Sequence, residues 1–152
     1  MPGYKQHISC GLLCSFLILV CFSFGPFSLA SVIEWSLCTL LGSLFPDIDI
    51  KSKGQFIFYA LFSVLLFYMI ALQKWVYVSL LAMLSCIPIL SKHRGIFHNF
   101  WFVTTLVILL LALVKYTYPG YYTLVSYDAF FFMIGVFSHL LLDKGFLKTL
   151  KL

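Results

Sequence analysis

Charge is what this sequence has least of. Of its 152 residues ten are Lys or Arg and five are Asp or Glu, 10% in all, where a typical soluble domain carries about 25%. Disorder is excluded, since it needs low hydrophobicity and high net charge. Linkers, internal repeats and low-complexity stretches are absent, and so is any collagen-like glycine period. The cysteines are odd in number and all lie in apolar runs (Cys10, Cys14, Cys21, Cys38 and Cys86), which gives no sign of a disulfide framework. Cys10 and Cys14, one helical turn apart, could pair on a metal but fit better as small packing residues. The chain also lacks His-Glu-x-x-His, Gly-x-Ser-x-Gly, a Walker loop and Gly-x-Gly-x-x-Gly. Those gaps disfavour zincin-type proteolysis, serine hydrolysis and P-loop chemistry.

What is present is apolar: 62% of residues are hydrophobic and the mean hydropathy is +1.05. A domain of this size leaves roughly 30% of its unfolded-chain surface exposed, so one core cannot hide the excess. The solvent must be lipid. Six apolar runs, residues 8–24, 29–45, 56–72, 75–90, 100–116 and 129–142, are apolar on all sides. Strands of a lipid barrel would alternate, so helices, which satisfy their backbones internally, are required. Several runs fall short of the about 20 residues of a full span. Flanking aromatics (Trp35, Trp75, Trp101, Tyr116, Tyr118, Tyr121, Tyr122) and snorkelling lysines complete them. The breaks carry turn chemistry at Gly25-Pro26, 46–54, Gln73-Lys74, 91–99 and a last connection over 117–128 opened by Tyr118-Pro119-Gly120.

The expected fold is therefore an all-α polytopic membrane bundle of about six transmembrane helices, in a single domain spanning residues 1–152. The net charge of +5 comes from basic residues that flank the runs, an orientation signal of membrane proteins rather than a nucleic-acid patch; no nucleic acid is expected as a partner, and the sequence identifies no protein partner. Threaded through a bilayer, one face receives Lys5, Lys51, Lys53, Lys92, Arg94, Lys144, Lys148 and Lys151, the other Lys74 and Lys115. That asymmetry puts both termini on the cytoplasmic face. A competing reading takes Lys5, the first run and Ser28-Leu29-Ala30 as a cleaved secretory signal. It would delete His7, but the run is long for an h-region of about 7–15 residues.

The few titratable groups fall together. His7, Asp47, Asp49, His93, His98, His139 and Asp143 all lie in or beside the segments of the basic face, while Glu34 and Asp128 fall toward the other side. Ionisable groups in or near a span are expensive and are functional candidates by default. His139 and Asp143 are i and i+4, on one helix face, suited to one metal or to a ligand and its orienter; a plain intrahelical pair is the alternative. Pro46 stops the second helix, and Asp47 and Asp49 can converge from the turn that follows. Five residues separate His93 and His98, about 140° apart on a helix, so one regular helix cannot aim both at one ion; Gly95 offers a bend. Arg94 could pair with a phosphate or carboxylate, or serve as a topogenic charge.

Nitrogen and oxygen ligands without thiolate suit zinc, or another divalent ion such as manganese. The number of candidates allows one or two ions. The metal set is read as His7, Asp47, His98, His139 and Asp143, with Asp49, His93 and Arg94 in catalytic or supporting roles.

Four pieces, His7-x-x-x-Gly11, Leu44-Phe45-Pro46-Asp47-Ile48-Asp49, His93-Arg94-Gly95-x-x-His98 and Gly135-x-x-Ser138-His139-x-x-x-Asp143, occur in order over nearly the whole chain. Together they resemble the YdjM-like family of LexA-regulated, membrane-bound, metal-dependent hydrolases of bacteria. The Pro-Asp and His-x-x-x-Asp pieces are more distantly similar to zinc-dependent phospholipase C and P1-type nucleases. The chain departs from the family pattern at Phe97, where a small hydroxyl residue is usual, and at Asn99, where serine is common. The resemblance implies a bacterial inner-membrane hydrolase whose substrate, ranked by the phosphoesterase likeness and by the depth and positive charge of the site, is a phosphoester of a lipid or amphiphile. The rival is a metal-binding membrane protein without chemistry, a small transporter or sensor.

Overall fold

The computed structural model describes residues 3–22, 28–48, 53–71 and 96–144, with 73, 75, 78 and 82. They form five long helices: α1 (Tyr4–Phe22), α2 (Leu29–Leu44), α3 (Lys53–Ala71), α4 (Phe100–Thr117) and α5 (Tyr122–Lys144). All five are long and apolar enough to cross a membrane, and no strand occurs among the described residues. Trp75, Val78 and Ala82, from the expected run 75–90, are helical; the rest of that run lies outside the described residues.

Local chemistry sets the helix ends. Ser28 caps α2, its Oγ accepting from the Ser31 amide at 3.1 Å. Pro46 cannot continue the α-helical ladder, and α2 gives way to a 3₁₀ turn over Phe45–Asp47. The Gln55 amide donates to the Ile48 carbonyl at 2.8 Å, tying the start of α3 to the end of α2. Asn99 caps α4, with Oδ1 accepting from the amides of Trp101 at 3.0 Å and Phe102 at 3.3 Å. Asparagine is among the preferred residues at a helix N-cap.

Two expectations need correcting. The last connection is short: a 3₁₀ turn over Pro119–Tyr121 leads straight into α5 at Tyr122, not into a loop reaching residue 128. The polar residues of that stretch are absorbed by the helix, as when Ser126 Oγ donates to the Tyr122 carbonyl at 2.6 Å. Trp35 is not an interfacial aromatic. It is buried in the bundle, stacked on Phe131 with ring centroids 5.0 Å apart.

The packing is that of a protein in lipid. Leu13, Phe16, Val64, Phe67, Ile108 and Leu109 face outward, whereas His7, Ser15, Thr39, Ser43, Ser138 and His139 are buried. α5 lies at the centre, chiefly against α2 and also against α1 and α4. Small residues set this arrangement. A Cβ built on Gly42 would strike the Phe132 carbonyl, and one on Gly135 would strike the Thr39 carbonyl. Gly11 of α1 sits over Ser43 and Ser138, where a Cβ would lie 3.1 and 3.3 Å from their side-chain atoms. Without a hydrophobic drive between helices in lipid, such close backbone contact is what joins them. The seam brings the start of α1, the end of α2 and the end of α5 to one end of the bundle.

Candidate metal centre

That end collects four ionisable side chains from three segments. Asp47 stands in the 3₁₀ turn after α2, His98 in the turn before α4, and His139 and Asp143 one helical turn apart on α5. Each offers a donor atom, and all four donors lie within 4.8 Å of one another. His139 Nε2 is 3.3 Å from Asp143 Oδ2 and 3.7 Å from Asp47 Oδ1. His98 Nε2 is 3.4 Å from Asp47 Oδ1 and 3.6 Å from Asp143 Oδ2. These separations exceed the about 2.7–2.9 Å of a charge-assisted hydrogen bond.

A backbone carbonyl fixes the imidazole. His139 Nδ1 is 2.7 Å from the Ser43 carbonyl oxygen across the α2–α5 seam. A carbonyl only accepts, so Nδ1 carries the proton and Nε2 presents its lone pair to the cluster. That Nε2 is buried with no hydrogen-bond partner. An orphaned buried nitrogen is costly, and a cation among the four donors would satisfy it. The cluster could hold a metal ion.

His7 stands beside the four rather than among them. Its ring stacks on His139 with centroids 3.8 Å apart, and its Nε2 is 3.5 Å from Asp143 Oδ1, the oxygen away from the other histidines. His139 is almost fully enclosed, whereas the Asp47 and His98 side chains are 26% and 18% exposed, so access is from their side. Asp49, His93 and Arg94 lie outside the described residues.

Sequence reasoning missed two participants. One is the Ser43 carbonyl, a backbone atom with no side-chain signature. The other is the glycine seam that brings it to His139; Gly11 and Gly135 belonged to the recognised motifs, but their spatial role did not show.

The family model described as YdjM inner membrane protein matches residues 1–145. The chain belongs to the YdjM inner membrane protein family. No curated protein and no solved structure matches it. YdjM membership and the five apolar helices together make this an integral inner membrane protein, associated with a lipid bilayer. The four-donor cluster lies at one end of this YdjM bundle, built by three of the four motif pieces.

Proposed function

We propose that this protein is a membrane-embedded metal-dependent hydrolase that cleaves a phosphoester of a lipid or amphiphile. The observation that carries the proposal is the spacing of the four donors. A tetrahedron with metal–ligand bonds of about 2.0–2.1 Å has edges of about 3.3 Å. The four imidazole–carboxylate distances run from 3.3 to 3.7 Å. Two imidazoles and two carboxylates suit zinc, with manganese as the harder-ligand alternative. Three of the four donors would suffice to hold one ion and leave it a position for water; a second ion would draw on His7 and Asp143 Oδ1.

A divalent cation held by these residues would supply Lewis acidity and a water acidic enough to act as nucleophile at neutral pH. The protein's own groups do the rest. Ser43 holds His139 in one tautomer, and His7 packs that ring against rotation while facing Asp143. Asp47 and His98, on the open side, border the approach of water and substrate. Asp49 or a free histidine accepts the proton released on attack. Arg94 and neighbouring lysines hold the anionic head group, and His93 serves as a further ligand or orienting group. The positive-inside asymmetry places this chemistry on the cytoplasmic leaflet, where a lipid phosphoester can enter from the bilayer.

The test is turnover of phosphoesters by protein reconstituted in nanodiscs with Zn²⁺ or Mn²⁺, beside Asp143→Ala. Cleavage by the wild type, lost at least a hundredfold in Asp143→Ala, is expected. Protein that binds its metal but cleaves no phosphoester, and instead moves the ion across proteoliposomes, establishes the transporter reading in its place.

A further inference from the structure

His7 and His139 meet as a parallel pair, with ring centroids 3.8 Å apart and planes that differ by 16°. Their Nε2 atoms face different oxygens of one carboxylate. His139 Nε2 lies 3.3 Å from Asp143 Oδ2, and His7 Nε2 lies 3.5 Å from Asp143 Oδ1. The lone pair of an imidazole lies in its ring plane. A single ion midway between two such rings, at bonds of about 2.0–2.1 Å, would sit about 65–70° out of each plane, where no lone pair points. The two histidines therefore cannot ligate the same cation. His7 is accordingly not among the four donors that lie within 4.8 Å of one another. Asp143 Oδ1, the oxygen it faces, is buried with no hydrogen-bond partner, and His7 itself is 1% exposed.

We propose that the centre takes two cations: a resident one among Asp47, His98, His139 and Asp143 Oδ2, and an exchangeable one between His7 Nε2 and Asp143 Oδ1, with the Asp143 carboxylate bridging them. This rests on the reading of the cluster as a phosphoesterase centre. Near-parallel rings set the two cations about as far apart as the rings themselves. That spacing falls in the range of about 3.5–4 Å at which a pair of ions can serve the attacking and leaving oxygens of a phosphoester. The His7–Asp143 separation of 3.5 Å also falls within the 3.3–3.7 Å of the first position. Two features make the second position the weaker. The described residues supply two donors there against four at the first, so water or substrate completes the coordination. His7 Nδ1 is buried with no hydrogen-bond partner, whereas His139 Nδ1 has the Ser43 carbonyl, the kind of contact that raises a ligand's basicity. Charge identifies the missing partner. Two divalent cations exceed the charge of the Asp47 and Asp143 carboxylates by about two, which a phosphate monoester of about −1.5 to −2 would neutralise. The second cation is thus taken up with the anionic substrate and is lost when protein is purified without it.

The experiment titrates the full chain, stripped of metal and held in nanodiscs of zwitterionic lipid, with Mn²⁺. Bound ions are counted by equilibrium dialysis, and electron paramagnetic resonance is recorded at saturation. Wild type is expected to bind two ions in separable steps, the second about tenfold weaker or more, and to give the exchange-coupled spectrum of neighbouring Mn²⁺ ions. His7→Phe keeps a ring against His139 but offers no donor. It is expected to bind one ion, within about threefold of the wild-type first step, with an uncoupled spectrum. The wild-type stoichiometry and coupling decide the matter even if the variant fails to fold. One ion per chain at saturation, two ions without coupling, or two coupled ions in His7→Phe overturns the proposal. A single wild-type ion whose affinity falls in His7→Phe also overturns it, and assigns His7 to orienting Asp143. Methylphosphonate, which cannot be hydrolysed, should tighten the second step about tenfold and leave the first unchanged. Because the readout needs no turnover, the two readings fail separately. Two coupled ions with no effect of methylphosphonate and no ester cleavage keep the cation pair and defeat the phosphoesterase; cleavage by protein that binds one ion does the reverse.

Discussion

Replacing Gly135 by alanine tests whether the metal centre depends on the helix seam beneath it. The added Cβ would lie 2.7 Å from Ser43 N and 2.9 Å from Gly42 C, closer still to the Thr39 carbonyl, and all are backbone atoms with no rotamer to yield. α2 and α5 must part by about 1 Å, which already forfeits a quarter to a half of the dispersion energy at each affected contact. Overpacking of this kind costs about 3 kcal/mol. Alanine recovers about 1 kcal/mol of helix propensity, so the net loss is about 2 kcal/mol. The same displacement stretches the 2.7 Å contact between His139 Nδ1 and the Ser43 carbonyl beyond hydrogen-bonding range. Losing that hydrogen-bond partner weakens metal binding about 10–100-fold. Thermal unfolding and Zn²⁺ titration in nanodiscs read the two effects. Gly120→Ala is the control, because nothing lies within 4 Å of its added Cβ, and it should stay within about 0.5 kcal/mol of wild type. If Gly135→Ala binds Zn²⁺ as tightly as Gly120→Ala does, the coupling of seam to centre is refuted.

The remaining predictions use the same preparation. Chelation should lower thermal stability by about 2.7 kcal/mol relative to protein held at a hundredfold excess of Zn²⁺ over its Kd, and re-added Zn²⁺ should restore it in wild type but not in His98→Ala. Lowering the pH should weaken Zn²⁺ binding, because imidazoles ligate only when neutral and carboxylates only when ionised, so protons compete with the ion; calorimetry in buffers of different ionisation enthalpy should show net proton release on binding at neutral pH. Asn99→Ala removes both capping bonds of α4 and should cost about 1 kcal/mol, whereas Asn99→Ser should restore most of it. In a background without native cysteines, Lys53→Cys should be labelled from the cytoplasmic side and Lys115→Cys from the opposite side; the reverse pattern would contradict the inward placement of the centre.

Much of this architecture was legible because lipid simplifies the signal. Runs apolar on every side admit only helices, and the scarcity of charge makes Asp47, His98, His139 and Asp143 conspicuous in the sequence itself. What escaped had physical reasons. The start of α5 was hidden because Ser126 and Asp128 read as loop residues, yet a hydroxyl can bond back to its own helix and a carboxyl can line an apolar cavity between helices. Trp35 read as an interface anchor because its ring has an amphipathic tip; the stack on Phe131 that buries it comes from a distant helix. His7 carried no local signal of its position, which depends on Gly11 letting α1 approach Ser43 and Ser138. The Ser43 carbonyl could not have been found from side-chain types at all.

The most direct measurement is the metal content of protein purified without chelator, by elemental analysis, in wild type and His139→Ala. About one zinc or manganese per chain in the wild type, lost in His139→Ala with the fold retained by circular dichroism, is the result expected. Wild-type protein free of stoichiometric metal, or His139→Ala holding as much as wild type, contradicts the account.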